Sequence, residues 1–292
     1  RGIMFVLAVF AGLHLPSSVA TITATVRQQD WPSALSVQQL GPPLGLVASP
    51  LVAVGLLTWF DWRATLVWVA GLALVLGLGF LFFFRGIGSF PGDPPNPALV
   101  GPVLRTPSFW VMIFLLALGM GAQVGVYTML PLYLIEEKGM TVASANTLLG
   151  LANILPLVMV FVSGFITARI GPKKSMSLFL FLTGVAAVLV GTLSGTGLKI
   201  AVFAMPALAV CFFPPAFAAL SQIVHATLRS LAAALGPSFA FILGGGLLPQ
   251  ALGSMGEAYS FGLGIVIAGA VIAVGSCATF FLRLLAELGD GC

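Results

Sequence analysis

Uncharged polar side chains recur at helical spacing inside the first long apolar stretch of the chain. They are His14, Ser18, Thr21 and Thr25. The intervals of four, three and four residues place all of them on one face of a helix. Hydroxyl and imidazole groups at this spacing can hydrogen-bond to a small solute. The alternative for His14, which lies close to the midpoint of the stretch, is a neutral imidazole that hydrogen-bonds to a neighbouring helix.

A second polar pair lies in a later apolar stretch. Gln123 and Tyr127 are four residues apart and share one face of a helix, with Gln123 near mid-depth. A lone glutamine at that depth joins two helices in many membrane proteins, whereas one paired with a tyrosine favours a site that holds a solute.

The composition identifies a polytopic membrane protein, because 59% of the 292 residues are hydrophobic and only 7% are charged. No charged residue falls near the middle of any apolar stretch, which argues against a proton pump operated by this part of the chain. The net charge of +4 is scattered through short loops, so nucleic acid is not an expected partner. The sequence contains no catalytic triad, HExxH sequence or phosphate-binding loop, so we predict neither an enzyme nor a bound metal or cofactor.

Nine apolar stretches are near the length of about 20 residues that crosses a bilayer as a helix. They comprise residues 2–25, 34–59, 64–84, 107–134, 143–167, 174–194, 200–224, 230–252 and 258–282. We therefore predict an all-α membrane protein with nine transmembrane helices. Because the sequence begins with Arg1 and continues directly into a span, we expect it to have lost its N-terminus.

The distribution of Lys and Arg predicts the sidedness of these spans. Loops on one side carry eight of the twelve basic residues, namely Arg27, Arg85, Arg105, Arg169, Lys173, Lys174, Arg229 and Arg283. The acidic residues divide evenly between the two sides. Because Lys and Arg accumulate in cytoplasmic loops, we predict that this side and the C-terminus are cytoplasmic. The expected location is a plasma membrane or a bacterial inner membrane.

One loop differs from the rest in its proline content. Residues 85–106 lack an apolar run, and a continuous helix is forbidden there by Pro91, Pro94, Pro95, Pro97 and Pro102. We interpret this segment as a cytoplasmic linker between a partial N-terminal bundle of three spans, residues 1–84, and a complete six-helix bundle, residues 107–292. The three-span part is expected to leave packing faces uncovered, and residues 107–284 are expected to be the better-ordered unit.

A basic turn joins two uncharged apolar stretches near residue 170. The residues that define it are Gly164, Arg169, Gly171, Lys173 and Lys174. On charge alone, such a turn is found in any multi-span protein. Its spacing resembles the signature loop of the major facilitator superfamily, Gly-x-x-x-Asp-Arg-x-Gly-x-Lys-Lys, with Ala168 in place of the acidic residue. In that family a degraded copy of the loop follows span eight, and this turn resembles the degraded copy.

Two further features resemble the same family. The residues Gly41, Pro42 and Gly45 are similar to the Gly-Pro motif of family span five. Glycine and proline at these positions of the family span produce a kinked and closely packed helix. This Gly-Pro pair also recurs as Gly236-Pro237 in a weak internal repeat, which is either the parallel repeat of such transporters or a coincidence between Pro- and Gly-rich helices. We predict these three residues and the five of the basic turn as gating or motif residues.

The resemblance covers the whole chain and implies spans four to twelve of a twelve-span, two-domain transporter. It implies a monomer in the lipid bilayer that carries out secondary active transport of a small organic solute by alternating access. The chain by itself is expected to be inactive in transport. Because family spans four, seven and ten contribute to the central cavity, the predicted substrate-binding residues are His14, Ser18, Thr21, Gln123 and Tyr127. The alternatives are a non-transporting solute sensor on the same fold and, within the transporters, a drug-type efflux antiporter.

Other polar or small residues at membrane depth receive a structural interpretation. Asn146 and Asn153 are assigned to helix–helix hydrogen bonds across the domain interface, and neighbouring spans add Gln38 and Gln39. Cys211 behaves as a small apolar residue beside two prolines that kink its helix. Met and Phe side chains are expected to face lipid or the core.

Overall fold

The computed structural model describes residues 14, 17–83, 100–224 and 228–284, and these residues form helices and loops without any strand. The N-terminal part consists of helical residues 17–25, a single 3-10 turn (Gln28–Asp30) and helices α1 (Trp31–Gln38), α2 (Gly41–Leu57) and α3 (Trp62–Phe83). A short helix, Val100–Leu104, precedes the C-terminal part.

The C-terminal part contains six helices of membrane-spanning length. They are α4 (Pro107–Glu137), α5 (Val142–Ile170), α6 (Pro172–Thr192), α7 (Gly195–Leu220), α8 (Leu231–Ala258, preceded by a first turn at Arg229) and α9 (Phe261–Phe281). With α3 they make seven helices, in the described part of the chain, that are long and apolar enough to cross a membrane. Of the other two predicted spans, residues 2–25 lie mostly outside the described residues, and residues 34–59 are divided between α1 and α2.

Several of these helices are irregular. A π-helical segment occurs in α4 at Gly121–Val126, a second at its end at Tyr133–Glu137, and a third in α8 at Phe241–Leu247. A turn at Asn153 divides α5, and one at Phe212 divides α7 into Gly195–Cys211 and Phe213–Leu220. Helix α9 ends in a 3-10 segment, Ser276–Phe281.

The π segments of α4 and α8 cross at glycines. A Cβ atom on Gly125 would lie 2.8 Å from the carbonyl oxygen of Gly244, and one on Gly244 would lie 2.6 Å from the backbone nitrogen of Gly121. Small residues allow two membrane helices to approach at this distance because no side chain separates their backbones. The crossing fixes the position of Gln123, which lies between the two α4 glycines.

The two parts of the chain meet along α1. This helix packs against α5 and α7, and its residues Trp31, Leu35 and Ser36 are at most 2% exposed. Helix α3 behaves differently, because none of its apolar stretch is buried and Thr65 is its one buried residue among those described. The packing of the described chain therefore concentrates in the C-terminal part and the short helix α1 that docks on it.

The basic turn between α5 and α6 has a backbone that explains its glycine. Helix α5 ends at Ile170, and the next residue, Gly171, has a φ of +85°, in the left-handed region that only glycine adopts at little cost. Pro172 then occupies the first turn of α6, where a missing N–H group costs nothing because no helical acceptor is available.

Candidate functional site

Two cavities of similar size lie among the membrane helices. One, of about 410 Å³, is lined by apolar side chains and glycines of α4, α8 and α9, with no amide, hydroxyl, imidazole or charged side chain among its described lining residues. The other, of about 400 Å³, lies between the N-terminal and C-terminal parts and is lined by His14, Gln38, Gln39, Gly41, Pro42, Met120, Gln123, Val210, Phe213 and Phe217. This second space, called the polar cavity below, is the candidate site because it alone of the two offers directional hydrogen bonds.

The N-terminal part supplies two adjacent glutamines at a helix break. Gln38 is the last residue of α1, and Gln39 lies in the turn before α2. The break follows from the sequence, because Pro42 and Pro43 have no N–H group to donate to the carbonyls of residues 38 and 39. Both glutamine side chains are thereby placed at the cavity wall, and Gln39 is only 7% exposed.

The amide group of Gln38 is only half satisfied. Its Nε2 donates a hydrogen bond to Ser18 Oγ, with an N···O distance of 3.2 Å, which joins α1 to the helix of residues 17–25. Its Oε1 is buried and has no hydrogen-bond donor within reach. An acceptor in this position costs free energy unless a donor reaches it, because it has lost its hydrogen bonds to water.

The C-terminal part supplies one glutamine and an aromatic wall. Gln123 lies in the π segment of α4 that crosses α8. Phe213 and Phe217 lie one turn apart after the break in α7, are each 1% exposed, and have ring centroids 6.1 Å apart. The polar cavity therefore has amide groups on both sides and an apolar surface along α7.

A smaller cavity of about 30 Å³ adjoins the polar cavity, and Gln123 borders both. Its lining also contains Tyr127 and Asn153. The Tyr127 hydroxyl donates to the Leu149 carbonyl oxygen (3.2 Å) and accepts a hydrogen bond from Asn153 Nδ2 (2.7 Å). This space holds about one water molecule, and α5 fixes the tyrosine that faces it.

The structure brings some of the predicted binding residues together and separates others. His14 and Gln123 line the polar cavity, and Tyr127 lines the adjoining one. Ser18 reaches the site through its hydrogen bond with Gln38. Thr21 is not among the lining residues; it is exposed, and its hydroxyl donates to the carbonyl oxygen of Ser17 in its own helix (2.8 Å).

Two residues of the site were not predicted as binding residues. Gln38 and Gln39 had no binding role in the prediction, and the available signal was the Gly-Pro-Pro sequence that follows them and ends α1. Asn153 does make a helix–helix hydrogen bond, but its partner is Tyr127 within the C-terminal part, so the prediction that this bond crosses the interface is wrong. Asn146 is exposed.

The motif residues of the basic turn have separate structural roles. Gly164 faces α1, where an added Cβ atom would lie 3.1 Å from Ser36 Cβ. The Arg169 guanidinium carbon lies 4.2 Å from the centroid of the Phe165 ring, a cation–π distance. Lys173 is half-buried and Lys174 is exposed, beside the left-handed Gly171 of the turn.

The Gly-Pro motif of α2 differs from the prediction in its packing. The chain does bend there, because α1 ends and α2 begins at Gly41. A Cβ atom added to Gly41 or Gly45 would meet no described atom within 4 Å, so these glycines do not mediate close helix packing here. Pro42 lines the polar cavity, and its contribution is the helix break.

A second contact closes the interface on the side of the basic turn. The guanidinium carbon of Arg229 lies 5.1 Å from the centroid of the Trp31 ring, and Arg229 Nε donates to the Ser221 carbonyl oxygen (3.0 Å). Burial lowers the pKa of the Arg229 guanidinium from its ordinary value, because desolvation disfavours the charged form. The aromatic ring and the carbonyl oxygen offset part of that desolvation.

Comparisons with known proteins agree on one fold. The family model described as Major Facilitator Superfamily matches residues 2–249. The E. coli fucose:proton symporter is 16% identical with a TM-score of 0.65, over 86% of this chain and 67% of the symporter. The transporter FucP in the outward conformation is 15% identical with a TM-score of 0.73, over 92% and 72% of the two chains.

A third solved structure has the same fold. It is a bacterial homologue of the iron transporter ferroportin in an outward-facing state, 15% identical with a TM-score of 0.68 over 89% of this chain and 65% of the homologue. The present chain thus spans about two thirds of the length of these transporters. No curated protein matches the sequence.

Proposed function

Because this chain belongs to the Major Facilitator Superfamily, we propose that it moves a small organic solute across the membrane by alternating access. The chain is an integral, multi-pass membrane protein with the fold of transporters, which confirms the family resemblance of the basic turn. The observation that carries the proposal is the polar cavity, whose hydrogen-bonding groups come from both parts of the chain.

The origin of the lining residues supports alternating access. His14, Gln38 and Gln39 belong to the N-terminal part, and Gln123 belongs to the C-terminal part. A solute held by amides of both parts links them, so its binding changes the relative stability of their arrangements. Gln123 lies near the middle of α4, in the π segment, and transporters of this kind bind substrate near the middle of the membrane.

The packing of the two parts supports one closed side. On the side of the basic turn, Gly164 contacts Ser36, and Arg229 contacts Trp31. On the other side, α2 contacts the C-terminal part only slightly, and three of its described apolar residues are half exposed: Leu44 49%, Val52 49% and Leu57 50%. If the basic turn is cytoplasmic, as its charge predicts, this is an outward-facing state.

We also propose the domain division at residues 1–84, 85–106 and 107–292. Its support is the contrast between α3, which has no buried apolar stretch, and the C-terminal helices, which bury 33–78% of theirs. The described end of the linker is the short helix Val100–Leu104, followed by Arg105 and by Thr106 in extended conformation before α4. Residues 84–99 lie outside the described residues.

The test measures solute accumulation by the full-length protein in liposomes. A metabolite mixture is offered, and the vesicle contents are identified by mass spectrometry against protein-free vesicles. We expect Gln123→Ala to weaken binding of the accumulated solute by about 1 kcal/mol, roughly five-fold, for one lost buried hydrogen bond. The matched variant Gln250→Ala, at an exposed position of α8, is expected to behave as wild type.

The same variants are compared by thermal unfolding. Both should unfold close to the wild-type temperature, because interhelical hydrogen bonds in membranes average only about 0.6 kcal/mol. Absence of any accumulated solute contradicts the transport proposal. Equal effects of the Gln123 and Gln250 changes contradict the assignment of the polar cavity.

A further inference from the structure

The space of about 410 Å³ between α4, α8 and α9, called the apolar cavity below, has no part in the proposed function. Helix α4 separates it from the polar cavity, because Gly121 lines the first and Gln123 lines the second. Its floor is buried, since Leu252 and Ile272 are at most 2% exposed. Its rim is 44–52% exposed and includes Phe114, Leu243, Ile267 and Val271. The cavity is therefore a pocket that opens on the surface of the helix bundle.

The walls of the apolar cavity match a hydrocarbon. Helices α4, α8 and α9 supply its described lining, in which every residue is Phe, Leu, Ile, Val, Met, Ala or Gly. A water molecule inside a protein needs two to four polar partners, so a pocket walled by such side chains stays dry. Wall atoms that face an unfilled space lose dispersion contacts, and protein interiors leave few spaces of this volume. An apolar molecule that fills the pocket restores those contacts.

The position of the mouth identifies which apolar molecule reaches it. Helices α4, α8 and α9 are each long and apolar enough to cross a membrane, so the exposed rim is continuous with the lipid-facing surface of the bundle. Lipid tails are the solvent of that surface, and they are in large excess over a second copy of the chain or any other apolar molecule. Mass action therefore favours them as occupants. A tail is also flexible enough to follow walls formed by three helices.

On these grounds we propose that the apolar cavity binds one acyl chain of a membrane lipid, which enters from the bilayer between α4, α8 and α9. The volume of about 410 Å³ is within the range of small-molecule sites. Because lipid tails are as apolar as the walls, the bound chain is held by packing and not by hydrophobicity. It contacts the buried floor as well as the exposed rim, so it exchanges more slowly than chains that touch only exposed helices.

The experiment maps lipid contacts of the full-length protein in nanodiscs. The probe is a phosphatidylcholine that carries a diazirine in the middle of one acyl chain. Illumination releases N₂ and leaves a carbene, which inserts into a neighbouring C–H bond, and the modified residues are identified by mass spectrometry. We expect labelling of the floor residues Leu252 and Ile272 in addition to exposed positions such as Val67 on α3. Labelling of Val67 without either floor residue overturns the proposal.

A matched pair of variants on α9 tests the pocket itself. Ala268 is buried and lines the apolar cavity, so Ala268→Met extends an apolar side chain into it. The ratio of labelling at Leu252 to labelling at Val67 should then fall about five-fold or more. Ala270 is exposed and lies outside the lining, so Ala270→Met should leave the ratio unchanged. An unchanged ratio in both variants contradicts the assignment.

A measurement on the wild-type protein does not depend on the folding of any variant. Lipid-depleted protein in detergent should gain thermal stability from dipalmitoyl phosphatidylcholine and none from glycerophosphocholine, which has the same headgroup without chains. Equal effects of the two compounds assign the binding to the headgroup and overturn the proposal. So does cross-linking between copies through Val271→Cys, in a variant without the native cysteines, when the floor remains unlabelled. Labelling of the floor in a protein that accumulates no solute supports the site and contradicts only transport.

Discussion

Replacing Gly164 by alanine is expected to open the interface between α1 and α5. A Cβ atom on Gly164 would lie 3.1 Å from Ser36 Cβ, 3.4 Å from the Pro32 carbonyl oxygen, and closer still to Ser36 Oγ. Ser36 cannot simply rotate away, because its hydroxyl donates a buried hydrogen bond to that same carbonyl, with an O···O distance of 2.6 Å. The added methyl group therefore either breaks this bond or pushes α1 away from α5.

The size of the effect follows from these two possibilities. Loss of the Ser36 hydrogen bond costs about 1 kcal/mol, and an overpacked contact costs about 1–3 kcal/mol. Either cost applies only to the state in which α1 touches α5. A penalty of about 1–3 kcal/mol on one of two states lowers its population relative to the other by roughly 5- to 150-fold.

The assay is electron–electron distance measurement between two spin labels on the side of the basic turn. Cysteines at Gln29 and Ala168, both exposed, carry the labels in a variant that lacks the native cysteines. We expect Gly164→Ala to shift the distance distribution toward longer distances. The control is Gly150→Ala on α5, where an added Cβ atom would meet nothing within 4 Å. Identical distributions for the two variants would refute the proposed closure.

Two further predictions concern stability and topology. Glu137 accepts hydrogen bonds from the backbone N–H groups of Phe261 and the next residue, at the start of α9. Glu137→Ala should therefore lower the free energy of unfolding by about 1 kcal/mol, as the loss of a helix cap does. The control Glu136→Ala, at the exposed neighbouring residue, should change it by less than about 0.5 kcal/mol. In a cysteine-free variant, Lys199→Cys should react with an impermeant maleimide in sealed right-side-out cells, and Lys174→Cys should not. The reason is that clustered basic residues stay in the cytoplasm. The opposite labelling pattern would show that the predicted orientation is reversed.

The span pattern was predictable because bilayer thickness fixes the length of an uncharged apolar run. The predicted spans 64–84 and 174–194 correspond to α3 and α6 within two residues. Errors are larger where polar interfacial residues continue a helix: α7 begins at Gly195 rather than residue 200, and α8 continues to Ala258 rather than residue 252. Hydropathy locates the part of a helix inside the hydrocarbon, whereas hydrogen bonding determines where the helix itself ends.

The site was less predictable, because helical spacing defines a face without saying what the face meets. Spacing grouped Gln123 with Tyr127, and both border one small cavity. It also grouped Thr21 with His14, although only His14 lines the polar cavity. The difference arises from the packing of α1, which places Gln38 beside Ser18 and leaves Thr21 exposed. Contacts of this kind join residues far apart in sequence, and no local pattern encodes them.

Three of the elements that form the polar cavity are irregular at or beside the residue they contribute. Gln38 and Gln39 precede a proline break, Gln123 lies in a π segment, and Phe213 follows the turn that divides α7. Irregular backbone leaves carbonyl and N–H groups without helical partners, which a membrane tolerates only where protein or a cavity satisfies them. Glycine and proline interruptions therefore indicate a transporter's binding site better than polar residues alone do. The reason is that the unpaired backbone groups of the interruption require a polar environment, whatever direction the side chains point. By that criterion the Gly-Pro-Pro sequence after Gln39 was the strongest signal of the site in this sequence.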